Sequence, residues 1–209
     1  MRLILASTSP RRKEILALLG IPFDVVAPRV EERFDRTRSA MEETRHWAAE
    51  KVRSVAKGHP DATVIGSDTL IEFDDAKIGK PNDHDDALDI LQRLAGREHT
   101  VVSSVCVFGS KKIERIETEE VRVRMRRLPD DLLARYAFSD DPLDKAGAYA
   151  VQGDGEKLIE RIAGDYLAVV GLPLRLVVRL LREEGIVLRA DVEAIYRDRN
   201  FLNWRRFHP

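Results

Sequence analysis

The first residues with chemistry in them are Ser7-Thr-Ser-Pro-Arg-Arg12, which follow a short apolar run and open a helical pattern. A strand, a polar loop and a helix start in succession gather backbone N–H groups at one place, an arrangement that binds anions. Ser9 suits the N-cap and Pro10 the first helical position. A plain capped helix has the same signature. Arg11 and Arg12, however, put two cations in the first turn, where each opposes the helix dipole by roughly 0.3–1 kcal/mol. Something anionic must answer them, either an acidic neighbour or a bound phosphate.

Acidic and cationic candidates follow along the chain. Asp68 lies between Thr63-Val-Ile and Leu70-Ile71, at or near a buried strand. A carboxylate there is costly unless a cation, a metal or hydrogen-bond donors compensate it, so a structural salt bridge and a catalytic role both fit. Glu31-Glu32 adds acids that could share a hard Mg²⁺ or Mn²⁺, which one or two carboxylates plus substrate phosphates can hold; a solvated acidic pair looks the same. Lys51 in Trp47-Ala-Ala-Glu-Lys51 reads most simply as a surface helix lysine. Lys80, braced in Gly79-Lys-Pro81, is the better candidate for a fixed charge. The latter is no P-loop, because Pro81 stands where Ser or Thr is required. In the stretch from Asp144 to Gly153, small residues surround Tyr149 and Gln152, so the backbone could approach a ligand and the Gln152 amide could read a base edge. Gly153-Asp-Gly155 lacks the third glycine of a dinucleotide fingerprint.

The elements that must position these groups alternate in type. Strand patterns cover Leu3–Ala6, Phe23–Val26 and Thr63–Phe73, with a turn at Asp74-Asp75. A long hairpin is expected from His99–Phe108 and Ile113–Met125, turning near Ser110-Lys-Lys112. Helical spacing covers Arg11–Leu19, Met41–Lys57, Asp85–Leu94, Pro129–Phe138 and Pro173–Glu184. A mixed α/β fold follows, since strict βα alternation is absent.

Composition narrows the function classes. The 209 residues are 44% hydrophobic and 34% charged, with a net charge of −1. That supports a core and argues against nucleic acid or an anionic membrane as main partner. Arg122, Arg124 and Arg126 share one strand face, read as solvated surface rather than a nucleic-acid stripe. The single cysteine, Cys106, sits in an apolar run and reads as a buried hydrophobe in a reducing compartment. No run reaches membrane-span length and no signal peptide is evident, so the cytoplasm is expected. The five histidines lack metal-ligand spacing.

Taken in order, these pieces resemble the Maf family of nucleotide pyrophosphatases, also called septum-formation-inhibitor-like proteins. The resemblance is carried by Leu5-Ala-Ser-Thr-Ser-Pro-Arg-Arg12, the acidic pair ending at Glu32, Ala48-Ala-Glu-Lys51 and Gly66-Ser-Asp-Thr69. It continues through Gly79-Lys-Pro81, Leu94-Ala-Gly96, Asp141–Tyr149, Gln152-Gly153 and Val170-Gly-Leu-Pro173. It implies a two-lobed, ITPase-like α/β fold, a central mixed sheet flanked by helices with a cleft between lobes, over residues 1–188. Residues 189–209 would be a C-terminal extension, with docking on its own domain favoured over a homodimer contact for its aromatics.

The implied reaction is hydrolysis of a nucleoside triphosphate to monophosphate and pyrophosphate with a divalent metal, Mg²⁺ or Mn²⁺. By position, Asp68 would activate water, Glu32 and Asp68 would hold the metal, and Ser7, Ser9, Arg11, Arg12, Lys51 and Lys80 would engage phosphates. Arg12, Thr69 and Gln152 resemble the branch that prefers dTTP and UTP, with related or modified pyrimidine triphosphates as further implied substrates of a nucleotide-pool cleaning enzyme. Pyrophosphatases for ITP or 7-methyl-GTP, and a non-enzymatic regulator of septum formation, are the competing readings. One departure from the family pattern is Val52, where alanine is usual.

Overall fold

The structure is a computed structural model and describes residues 2–35, 37–109 and 111–207. Ser110 of the expected hairpin turn and His208 fall outside the described residues. The chain runs β1 (Arg2–Ala6), α1 (Pro10–Ala17), β2 (Asp24–Val26), α2 (Ala40–Ala56), β3 (Ala62–Phe73), β4 (Ala76–Ile78) and α3 (His84–Leu94). It continues through β5 (Glu98–Phe108), β6 (Glu114–Met125), α4 (Asp130–Ala137), β7 (Ile159–Ala163), α5 (Tyr166–Val170), α6 (Leu174–Glu183) and α7 (Val192–Asp198). Short 3-10 turns cover Ala146–Ala148, Gly153–Leu158 and Trp204–Arg206.

The fold is α/β around a mixed seven-stranded sheet of order β2-β1-β3-β5-β6-β7, with β4 paired to β3. The contacts gather into two compact units, and β3, β5 and β6 contribute residues to both. The first unit comprises Met1–Asp68, Ser103–Glu119 and Gly171–Arg199. There β1 pairs in parallel with β2 and with β3, which sets Ala6 opposite Gly66. Its core joins Ile4, Ala6 and Val64 of the strands to Ala48, Ala49, Val52 and Val55 of α2, with Cys106 wholly enclosed.

Helix α2 is firmly started. Ser39 and Glu42 form a reciprocal capping box, with Ser39 N–H donating to Glu42 Oε2 at 2.8 Å and Glu42 N–H to Ser39 Oγ at 3.2 Å. The helix then lies unusually close on β3. A Cβ at Gly66 would stand 2.8 Å from both Ala48 O and Val52 Cγ2, so only glycine permits this approach. The close seat aims the helix face of Ala48, Lys51 and Val52 at the strand. Val52, the departure from the family pattern, is part of that contact.

The second unit comprises Thr69–Val102, Glu120–Val170 and Asn200–Pro209. The Asp74-Asp75 turn is present, with both residues at positive φ (50° and 59°), and it joins β3 to β4 antiparallel. Strand β4 escaped the sequence reading because three residues are too few to show alternation. In the same unit α3 packs on α4, and His84 Nδ1 lies 2.7 Å from Ala137 O. Pro129 and Pro173 sit one residue earlier than first-turn positions, as the caps that precede α4 and α6. Among the described residues no helix is long and apolar enough to cross a membrane.

Gly66→Ala is expected to destabilise the protein by about 1–3 kcal/mol, the usual cost of forcing a methyl into a filled contact with backbone. Urea denaturation of the purified variant against the wild type checks this.

Candidate active site

The first unit gathers Ser7, Ser9, Arg11, Arg12, Glu32, Lys51 and Asp68. Asp68 lies on β3 in the continuation of the strand past Gly66, and Lys51 lies on the α2 face seated over that strand. The Lys51 ammonium donates to Asp68 Oδ1 at 2.6 Å and pairs with Glu32 Oε1 at 2.8 Å. Lys51 and Asp68 are both buried, whereas the Glu32 side chain is about half exposed (48%). One ammonium thus holds two carboxylates, one inside and one at the rim.

This corrects the reading of both lysines. Lys51 is not a surface lysine: it is 6% exposed, because the helix turn that carries it is the one pressed on β3. Lys80, read as the better candidate for a fixed charge, is exposed, and it is the neighbouring Pro81 that is buried. The Gly79 carbonyl next to it accepts from Gly147 N–H at 2.9 Å, so bracing acts on the backbone and leaves the ammonium in water. Lys80, Thr69 and Gln152 belong to the second unit. Thr69 and Gln152 are half-buried.

The opening loop is built as a cap. Ser9 Oγ accepts from Arg12 N–H at 3.5 Å, and Ser7 Oγ accepts from Ser9 N–H at 3.1 Å. Pro10 begins the helix, as its fixed φ allows. The Arg12 side chain turns back to donate Nε–H to Gly171 O at 2.9 Å, a carbonyl that also accepts from Ser67 Oγ at 3.0 Å. Gly171, at φ +123°, is a site residue that sequence reasoning does not find. Its only signal was its place in the Val170-Gly-Leu-Pro173 motif.

Electrostatics tie these groups into one cluster. Burial lowers the Arg12 pKa, while the charges of Asp68 and Glu32 oppose that shift and Arg11 adds to it. Asp68 is raised above the usual carboxylate value, first by burial and then by the negative charge of Glu32, against the pull of Lys51 and Arg12. The acidic neighbours asked for by the paired arginines are therefore present. One more feature was missed. Glu43, buried on the same side of α2 as Lys51, accepts from Asp35 N–H at 3.3 Å and Trp47 Nε1–H at 2.9 Å. It anchors the loop that carries Glu32 at a second point. Nothing in the sequence marked Glu43 as buried: Ser39-Ala-Met-Glu42 carries the capping-box spacing, and Glu43 beside it reads as one more acid of the first turn.

Other candidates resolve as structure. Arg122 pairs with Glu98 and Arg124 with Glu160, so the arginine strand face is solvated and its charge is answered. Cys106 is fully buried, and burial pushes its thiol up to about 12. Among the described residues no group of three or more His, Cys, Asp or Glu is placed to hold a metal.

Comparison with known proteins follows the same line. A family described as Maf-like protein matches residues 2–184. The chain is 44% identical over 187 residues to a dTTP/UTP pyrophosphatase of Aquifex aeolicus, covering 90% of this chain and 97% of that one. It is 42% identical over 187 residues to a dTTP/UTP pyrophosphatase of Bacillus velezensis, covering 88% and 97%. Among solved structures, the Ham1 protein of Staphylococcus aureus matches with a TM-score of 0.50 at 15% identity, over 88% of this chain and 100% of that one, a likeness of fold.

The raised pKa of Asp68 makes a linkage statement. Between the ordinary carboxylate value of ~3.9 and the higher folded value, the folded protein binds the extra proton. Stability therefore falls as pH rises through that window, and the cost persists above it. Lys51→Met, which removes the cation holding the ionised form, should move the window upward and lower stability at neutral pH by about 1–3 kcal/mol. Denaturation midpoints measured from pH 4 to 8 would show it; a variant with an unchanged profile would mean that Lys51 does not support the charge on Asp68.

Proposed function

The chain belongs to the Maf family of Maf-like proteins, and on that premise we propose that it hydrolyses dTTP and UTP to the monophosphate and pyrophosphate. The observation that carries this reading is the buried Asp68 carboxylate, held 2.6 Å from Lys51 and raised in pKa, beside Glu32 and Arg12. A general base is most useful when its pKa lies nearer the working pH than a free carboxylate's. Asp68 takes a proton from the water that attacks the α-phosphorus, and the α–β anhydride bond breaks with pyrophosphate leaving. Lys51 keeps Asp68 ionised until that transfer and lies at hand for a phosphate oxygen. Arg11 and Arg12 answer the charge of the polyphosphate, and the Ser7 and Ser9 loop sets where it lies. Stabilisation of developing charge by groups already in place is the main protein contribution to such transfers.

A divalent cation fits the donor set. Glu32 and Asp68 supply two hard carboxylates, and Mg²⁺ or Mn²⁺ at such sites is completed by substrate phosphates and water rather than by a closed protein cage. When bound, the cation would neutralise phosphate charge and polarise the α-phosphate. By resemblance, Lys80 is a further phosphate-binding group and Thr69 with Gln152 contributes to base choice. A cytoplasmic role in cleaning the nucleotide pool is in keeping with a lone, buried, unreactive thiol.

The decisive measurement is pyrophosphate release from a panel of common and modified triphosphates with Mg²⁺ or Mn²⁺. Turnover of dTTP and UTP well above that of ITP and 7-methyl-GTP is expected. Asp68→Asn should lower kcat by about a hundredfold or more, the lower end of general-base contributions, with the fold retained by circular dichroism. Full activity in that variant would remove Asp68 as the base. In the wild type, kcat/KM should fall on acidification with a midpoint above the ~3.9 of a free aspartate.

A further inference from the structure

We propose that the C-terminal segment 200–207 is a positioning element for the loop that carries Gln152, and through it for base choice. The base-choice half rests on the reading of Gln152 given above. The segment lies beyond residue 184, where the family match ends. It belongs to the same compact unit as the loop.

The loop is short, bent and held from two sides. Gln152 is the cap of the 3-10 turn Gly153–Leu158, with Gly153 at φ +63°. On one side the Tyr136 hydroxyl donates to Asp141 Oδ2 at 2.6 Å and accepts from Ala150 N–H at 3.1 Å. Gly155 closes onto the same place, where a Cβ would come within 2.3 Å of Ala150 O and 2.7 Å of Tyr136 Oη. That brace comes from residues inside the family match.

The other brace comes from the C-terminal segment. The Tyr166 ring stacks with Trp204 (centroids 5.5 Å apart, 13° between planes) and with Phe207 (5.8 Å, 25°). The Tyr166 hydroxyl donates to Leu202 O at 2.6 Å, with Val151 O 3.4 Å away. Burial pushes the Tyr166 phenol well up, so the donor persists at any working pH. Within the turn itself, the Glu156 side chain is only 9% exposed and is ion-paired to Arg206. Its Oε2 is buried without a hydrogen-bond partner among the described residues. Arg206 is thus the cation that answers a buried carboxylate four residues from Gln152, and such a charge is costly to leave alone. The segment thus meets the loop directly at Glu156, through Arg206, and reaches Val151 through Tyr166, which it holds by the ring stack and the Leu202 carbonyl, so the two points lie on either side of Gln152. A tail that merely covered core surface would need the aromatic stack and not the ion pair.

The test compares Arg206→Ala, Trp204→Ala and the milder Tyr166→Phe, in the full chain, with Gln152→Ala as reference. Amide exchange of residues 151–158 and the kinetics of UTP against CTP are the two readouts. Each segment variant should speed exchange in 151–158 by about two- to tenfold, the equivalent of a lost hydrogen bond. KM for UTP should rise with kcat little changed, and the UTP-over-CTP ratio should move toward that of Gln152→Ala. Unaltered exchange would overturn the proposal, as would a fall in kcat with KM and the ratio unmoved. If Gln152→Ala shifts the ratio and the segment variants do not, the segment is a cover and the reading of Gln152 stands. If Gln152→Ala leaves the ratio intact, the base-choice half fails together with that reading, and the exchange data alone decide the brace.

Discussion

One ammonium shared by two carboxylates organises the first unit. Lys51 is the cation that lets Asp68 be an ion inside a strand, and Glu32 reaches the same nitrogen from a loop at the rim. A buried carboxylate without such a partner would protonate, and a buried lysine without a carboxylate would lose its proton or stay outside. Neither residue could hold its place alone. The compensation is also incomplete, since burial still keeps Asp68 above the ordinary carboxylate range. This residual imbalance suits the role of base proposed for Asp68, and it is a cost in stability confined to the site.

The triad in turn depends on how closely α2 approaches β3. A lysine stem is long, but here the ammonium is not at the end of a free arm; it is enclosed with its stem. That requires a missing side chain at Gly66 and small or compact ones at Ala48 and Val52. Ordinary helix-on-sheet packing, with side chains on both surfaces, would hold the helix farther off. The polar centre and the apolar core are therefore one construction, joined where Gly66 lets the helix face of Ala48, Lys51 and Val52 meet the strand.

In the second unit the same logic operates with aromatic residues. Tyr136 and Tyr166 each present a ring to apolar neighbours and a hydroxyl to backbone on the loop near Gln152. Two phenols fix a glycine-rich bend that has little side-chain packing of its own. His99 and Tyr149 form a third polar contact in this unit, 2.7 Å between Nε2 and the hydroxyl, with burial pulling the imidazole down to about 4. A neutral histidine there works as a hydrogen-bond partner and carries no charge into the core.

The Ser7–Arg12 cap, the buried setting of Asp68, the Asp74-Asp75 turn, the inert thiol and the mixed α/β class were legible in the chain itself. Each rests on local chemistry: a hydroxyl and proline before a helical run, an acid among β-branched residues, two residues that tolerate positive φ. Residue order also carried the family, because nine short motifs in register are specific where any one is weak. What only the tertiary structure decided is where charges lie relative to one another. Lys51 reads locally as a surface helix lysine and Lys80 as the fixed charge, yet Lys51 is the buried one and Lys80 is exposed, because burial depends on which helix face meets a strand. The roles of Gly171 O and Glu43 were hidden for the same reason: a carbonyl has no sequence identity, and what buries Glu43 is the rotation of about 100° that separates its side of the helix from that of Glu42. Periodicity and composition are properties of segments, whereas desolvation is a property of the space that segments enclose together.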